Sequence, residues 1–329
     1  MGTSFGIVWN PTKVDSGVLQ DALDAALQAT LGAEDPAPDA HWFETTPDDP
    51  GQEATARALA AGCSLIIAVG GDGTVRAVAE QLGESSKPGE PAGSGAELGI
   101  VPLGTGNLLA RNLQIPLGNP QAAFERALTR EAAPLDLGTV EVTRADGSRT
   151  RADFVVMLGF GIDAQMIVET NDELKAKAGW LAYVESLGRA AASTDVVDFS
   201  LFIDGGEAMP ERAHTLLIAN CGTLPGGFSL LPDAVPDDGE LDLLVLRADG
   251  LAAWLDTMRN MVWDNGVKRI IRQMASDTPS AESSNSASHL RARSVRVELP
   301  MPLMLEIDGE ELGEATAFEV SVDTVLRVR

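Results

Sequence analysis

The chain holds only two cysteines, three histidines and one tyrosine in 329 residues. Cys63 and Cys221 each sit in an apolar stretch, so they form neither a disulfide framework nor a thiolate metal cluster, which points to a reducing compartment. His41, His214 and His289 are scattered without metal-ligand spacing. Basic residues are scarce as well: 24 Lys and Arg against 49 Asp and Glu leave a formal net charge of -25. A field of that sign repels phosphate backbones and so argues against a nucleic-acid partner. It also repels anionic lipid headgroups, so any membrane contact needs an apolar surface or a local basic patch. No apolar run reaches the ~18 residues that a membrane-spanning helix needs. Met1–Phe5 lacks the basic start of a signal peptide and runs straight into a strand-like segment. These absences predict a cytoplasmic protein.

What is present is ample core material, 44% hydrophobic residues, in a length that suits two domains. The first third alternates strand-like and helix-like runs: Phe5–Trp9, helical Val14–Leu31, helical Glu53–Ala61, the apolar strand Leu65–Val69, helical Val75–Leu82 and the strand Leu98–Pro102. That alternation predicts a layered α/β domain, with Gly83–Glu97 as a surface loop. From about Leu135 onward short strands separated by turns predict a β-rich second domain: Thr139–Thr143, Asp153–Leu158, Phe199–Ile203, Thr215–Ala219, Leu241–Leu246, Ser294–Leu299, Leu303–Ile307 and Ala317–Val328. Helices are expected at Glu173–Ala192 and Leu251–Ile271, and a polar loop at Ser276–Ser288.

Two turns carry the chemistry. Gly70-Gly71-Asp72-Gly73-Thr74 follows the strand Leu65–Val69 and opens a helix. Its glycines let backbone amides approach a phosphate closely, and the helix directs its positive end to the same place. Asp72 beside phosphates makes sense as a partner for Mg²⁺ or a water on it, and Thr74 can donate its hydroxyl to a phosphoryl oxygen. The plainer alternative is a strand-to-helix turn in which Asp72 caps the helix. Leu103-Gly104-Thr105-Gly106-Asn107 repeats the arrangement after the strand Leu98–Pro102. Two such turns at the carboxyl ends of neighbouring strands converge on the crevice where open α/β sheets bind ligands. Thr105 and Asn107 could then reach phosphates or ribose, unless Asn107 is simply a helix cap.

A strand followed by GGDGT, then PLGTGN about thirty residues later, resembles the catalytic domain of the diacylglycerol kinase family, which includes sphingosine, ceramide and bacterial lipid kinases. The first turn alone is also similar to NAD kinases and phosphofructokinases; Pro102–Leu113 is the more specific stretch. The likeness includes Trp9-Asn10-Pro11-Thr12-Lys13 and Thr45-Thr46, where the family places a threonine that touches the nucleotide. Val75-Arg76-Ala77 departs from it, since the family often has Asn-Glu after GGDGT-x.

The resemblance implies a two-domain architecture like that of NAD kinase and diacylglycerol kinase. An α/β ATP-binding domain over residues 1–136, joined by a returning strand at 316–329, precedes a β-rich, sandwich-like acceptor domain over 137–315. It implies nucleotide contacts from Asn10, Thr45, Thr46, Gly70, Gly71, Asp72, Gly73, Thr74, Gly104, Thr105 and Asn107. Leu230–Asp242 resembles the segment where bacterial members hold a structural Mg²⁺, which by position implies Asp238 with the carbonyls of Val235 and Glu240. By itself that stretch reads as a Pro-Asp-Asp-Gly turn. Asp308-Gly309-Glu310 matches the family's D-G-E, whose glutamate is implied to be the general base; alone it reads as a hairpin turn. Gly159–Ala164 resembles the family's G-x-G-x-D-A turn, with Asp163 as an orienting carboxylate or a turn residue. Leu174–Gly188 is a basic-aromatic run suited to a membrane surface or to packing on the β domain. The implied reaction uses ATP and Mg²⁺ and phosphorylates a lipid hydroxyl, most directly diacylglycerol, with transient membrane-surface contact; a homodimer is compatible with the sequence. Competing readings are a kinase for NAD or another small molecule, and a nucleotide-binding module without catalysis.

Overall fold

The computed structural model describes residues 4–31, 38–85, 95–161, 196–224, 228–247 and 287–329. The expected helices Glu173–Ala192 and Leu251–Ile271, the run Leu174–Gly188, Asp163 and nearly all of Ser276–Ser288 lie outside these residues, as does the centre of Gly83–Glu97. The chain divides into two compact units: Met1–Gly138 with Asp153–Val155 and Asp323–Arg329, and Thr139–Ala152 with Val156–Val322.

In the first unit, β1 (Ser4–Trp9), α1 (Ser16–Thr30), β2 (Asp39–Glu44), α2 (Gln52–Ala60), β3 (Leu65–Gly70), α3 (Asp72–Glu84), β4 (Glu97–Pro102), α4 (Leu108–Asn112) and α5 (Pro120–Thr129) follow one another. The strands pair in parallel in the order β4-β3-β1-β2, with Trp9 level with Val69 and Gly70 level with Pro102. Every residue of β3 is buried, which is why the sequence there is an unbroken apolar run rather than an alternating one. Helix α1 buries Leu19, Leu23 and Ala26 on one stripe. Asp15 caps its start by accepting from the Gly17 amide at 2.8 Å. Val328 pairs in parallel with Leu98, and the Arg329 amide donates to the Leu98 carbonyl at 2.9 Å.

The second unit is antiparallel. Its strands are β5 (Ala133–Thr143, which begins in the first unit), β6 (Arg149–Phe154, which ends in the first unit), β7 (Met157–Phe160), β8 (Val197–Ile203), β9 (Met209–Ala213), β10 (Thr215–Ala219), β11 (Thr223–Leu224), β12 (Phe228–Ser229), β13 (Leu241–Leu246), β14 (Ala287–Ala292), β15 (Ser294–Ile307) and β16 (Glu310–Val328, which ends in the first unit). They are ordered β14-β13-β10-β7-β15-β16, with β8 and β9 branching from the first half of β15. The α/β unit followed by a β-rich unit is the fold class the sequence predicts.

Element boundaries differ in places. The run Asp153–Leu158 is broken at Val155-Val156, because the backbone there turns to bond elsewhere. Leu299–Leu303 is no gap: β15 continues through it with a register shift between Glu298 and Leu303, where Pro300 and Pro302 lack the amides a ladder needs. Cys63 and Cys221 are both buried thiols, not joined in a disulfide. Burial, and then the charge of Asp308, pushes the Cys221 thiol far up, so it is an inert core residue.

Candidate active site

The glycine turns meet. Gly71 and Gly104 are so close that a Cβ on Gly104 would lie 2.7 Å from the Gly71 Cα, and backbone cannot yield as a flexible side chain can. The Leu103 amide donates to the Gly70 carbonyl at 2.7 Å, tying one turn to the other. Asp72 makes the second tie. Its Oδ2 accepts from the Asn107 amide at 2.8 Å and its Oδ1 from the Leu108 amide at 2.5 Å. Asp72 therefore serves the start of α4, 35 residues away, as well as its own amide at the start of α3. Desolvation raises its pKa, opposed by those amides and by the Arg111 guanidinium.

Asn107 does neither of the things its type suggests. It sits in the left-handed region (φ 47°, ψ 49°), which Asn tolerates better than other side chains, and its side chain makes no cap bond to α4. Instead its Oδ1 accepts from the Gly104 amide at 2.9 Å and its Nδ2 donates to the Gly104 carbonyl at 2.6 Å. The buried side-chain amide folds the turn around Gly104, and its neighbour Thr105 is exposed. Thr74 is likewise buried, packed against Gly70. Gly73 stands in the first turn of α3.

Asn10 follows β1, donates its amide to the Val69 carbonyl at 3.0 Å, and accepts from the Thr12 amide and hydroxyl through Oδ1 at 3.0 and 2.7 Å. Thr45 is buried and its amide donates to the Trp9 carbonyl at 2.9 Å; Thr46 is exposed and its Oγ accepts from the Asp49 amide at 3.0 Å. Asp49, which the sequence reading passed over, is buried and accepts from the amides of Gly51, Glu53 and Ala54 at the start of α2. Its signal was an Asp three residues before the helix, which the Pro-Asp-Asp-Pro-Gly stretch disguises as a plain turn. Beside Asn10 and Thr45 in sequence, Trp9, Ser16, Gly17, Gln20, Trp42 and Glu44 line a hollow of about 370 Å³, with the two indoles edge-to-face at 6.2 Å.

This donor set fits a hydrated Mg²⁺–polyphosphate. The turns present backbone with no Cβ in the way at Gly70, Gly71, Gly73 and Gly104, the Gly104 amide being already bonded to Asn107, and the Asp72 carboxylate keeps acceptor capacity beyond its backbone amides for a water on a cation.

In the second unit, Asp308 (φ 48°) and Gly309 (φ 87°) are the two central residues of a tight hairpin that sets Ile307 opposite Glu310. The hairpin is more than a link. Asp308 is buried, and its Oδ1 accepts from the Val156 and Met157 amides, both at 2.9 Å, at the break before β7. Its own amide donates to the Met157 carbonyl at 2.9 Å. Glu310 is exposed, one residue beyond this anchored turn.

The turn carrying Val235, Asp238 and Glu240 is arranged differently from a cation cage. Asp238 accepts from the Glu240 amide through Oδ1 at 3.1 Å and is ion-paired through Oδ2 with Arg291. Among the described residues no cluster of three or more His, Cys, Asp or Glu side chains is disposed to hold a metal. The Arg291 guanidinium already pairs with Asp238, the one carboxylate expected to hold the cation, so these residues fit that ion poorly.

The sequence model of the diacylglycerol kinase catalytic domain matches residues 16–140, and that of the YegS C-terminal NAD kinase beta sandwich-like domain matches residues 156–328. A Stenotrophomonas maltophilia protein described as "Probable lipid kinase YegS-like" is 31% identical over 280 residues, covering 84% of this chain and 81% of that protein. A Xanthomonas oryzae protein of the same description is 32% identical over 277 residues, covering 81% and 78%. The crystal structure of a diacylglycerol kinase from Bacillus anthracis superposes with a TM-score of 0.65 at 19% identity, over 98% of this chain and 96% of that one, which bears on the fold alone.

Proposed function

Because the chain belongs to the diacylglycerol kinase catalytic-domain family, with its YegS-type C-terminal domain, we propose that it transfers the γ-phosphoryl group of ATP to a lipid hydroxyl, with diacylglycerol as the acceptor and phosphatidic acid as the product. The observation that carries this reading is the backbone-to-backbone lock between Gly71 and Gly104, fastened by Asp72. Such a lock makes a rigid, side-chain-free floor of amides, which suits a polyphosphate far better than an apolar or flat ligand.

In this reading Gly70–Thr74 and Gly104–Thr105 bind and orient the phosphate chain, with Asn10, Thr45 and Thr46 at the adjoining strand ends. Asp72 holds the two turns in register and presents its remaining lone pairs to hydrated Mg²⁺. Bound Mg²⁺ neutralises the charge of the triphosphate. Glu310 accepts the proton of the acceptor hydroxyl as that oxygen bonds the γ-phosphorus and ADP departs. Most of the acceleration comes from positioning and charge neutralisation, since phosphoryl transfer leaves the protein little covalent work. No described helix is long and apolar enough to cross a membrane; the lipid is met at the membrane surface, in transient contact.

The test is a phosphorylation screen with ATP-Mg²⁺ in which diacylglycerol, ceramide, a sphingoid base, an isoprenoid alcohol and NAD are offered separately, with products read by mass spectrometry. Phosphatidic acid is the expected product. Phosphorylated NAD with every lipid untouched would overturn the proposal.

A further inference from the structure

We propose that the Pro232–Asp242 turn is closed by an internal guanidinium, that of Arg291, in the position of a divalent cation, so that this turn holds its shape without metal. Asp242 on β13 and Arg291 on β14 are direct partners in the antiparallel ladder. Their meeting is therefore fixed by a register that also pairs Leu241 with Ala292 and Leu243 with Leu290. A slip of one residue would turn every side chain of β14 to the other face, so the ladder keeps the Arg291 side chain on the face of Asp242.

From that place Arg291 engages Asp238, the one carboxylate expected of the cation site, and two further acids beside it. Its Nη2 pairs with Asp238 Oδ2 and lies 3.1 Å from Glu240 Oε2, and its Nε is 3.8 Å from Asp242 Oδ1. Arg293 adds a second positive charge, with Nε 4.0 Å from Glu240 Oε1. The other oxygen of Asp238 accepts from the Glu240 amide, which orients the carboxylate within the turn. Mg²⁺ or Ca²⁺ requires carboxylate and carbonyl oxygens at roughly 2.0–2.6 Å. A guanidinium on Asp238 Oδ2 both occupies that approach and repels a dication. Arginine suits the substitution, because its planar fork reaches several carboxylates at once and stays charged at any working pH. With 44% of the Arg291 side chain exposed, the lock is partly screened by solvent and its effect on stability is modest.

The experiment is thermal unfolding of the full chain, free of nucleotide, in EDTA and in millimolar Mg²⁺ or Ca²⁺ at matched ionic strength. Asp238→Asn serves as the control for general counter-ion effects on so acidic a protein. The wild-type midpoint should move between the two conditions no more than that of Asp238→Asn. Arg291→Met should unfold about 2–4 °C lower in EDTA and regain much of that loss in Mg²⁺ or Ca²⁺, and adding Asp238→Asn should abolish the regain. A wild-type midpoint that falls on chelation and returns with metal, beyond the control, overturns the proposal. An Arg291→Met midpoint indifferent to metal does so too. Should Arg291→Met not fold, Arg291→Lys keeps the charge without the fork and should show a smaller gain of the same sign; its absence counts against the proposal, and the wild-type arm decides without any variant. None of these readouts involves catalysis, so they stand apart from the lipid kinase reading.

Discussion

The glycine turns of the first unit and the Asp308–Glu310 hairpin of the second use their carboxylates in opposite ways. At the glycine turns of the first unit, the one carboxylate, Asp72, is spent on backbone amides, and the surface left for a ligand is backbone. In the second unit the backbone is the anchor, through Asp308 and the Val156 and Met157 amides, and the carboxylate that projects is a side chain, Glu310. A phosphate chain needs many fixed donors and tolerates no Cβ, whereas a proton acceptor needs one group on a stiff support. The first region should therefore fail when bulk is added, and the second when one functional group is changed.

The largest effect is expected from Glu310→Gln, which removes the proton acceptor and keeps the hairpin: kcat should fall on the order of 10²–10⁴-fold with an unchanged unfolding midpoint. A fall in stability instead would assign Glu310 to the scaffold. Next is Gly104→Ala, whose Cβ would press on the Gly71 Cα. Turnover should drop on the order of 100-fold, and stability by about 1–3 kcal/mol, measured by nucleotide titration and denaturant unfolding. Asp72→Ala should cost about 1–3 kcal/mol, since two amides at the start of α4 lose their acceptor, and hydrogen exchange at Asn107 and Leu108 should accelerate. The smallest effect is a pH dependence. Burial first, against the opposing pull of Arg291, raises Asp242 to about 6. A carboxyl raised above its unfolded value of 3.8 loses stability as pH climbs from about 4 through about 6. The midpoint of Asp242→Asn relative to wild type should accordingly rise across that window, and a flat difference would deny the shift.

The glycine turns and their convergence were legible because Gly-rich turns after apolar strands carry a local signature at a fixed spacing. What those turns do with Asp72 and Asn107 was not. Whether a carboxylate caps its own helix or one 35 residues on depends on strand order, and a left-handed Asn that bonds its own loop looks the same in sequence as a helix cap. Strand β2 escaped because Asp39–Glu44 is an edge strand of half-exposed residues with no clear period, whereas α5 carried a legible signal in the Asn119 cap, Pro120 and the helical spacing of Ala123, Phe124 and Ala127. Arg291 was hidden because β14 begins in a Ser-rich stretch that reads as loop, and only its pairing with β13 brings the guanidinium to the aspartates. Local chemistry shows in a sequence; partners supplied by distant strands do not.

The most direct measurement pairs ATP affinity with diacylglycerol phosphorylation in Glu310→Gln and Gly104→Ala. The account predicts that Glu310→Gln binds ATP as wild type does and makes almost no phosphatidic acid, while Gly104→Ala loses ATP binding itself. Equal loss of ATP affinity in both variants, or undiminished lipid phosphorylation by Glu310→Gln, would contradict it.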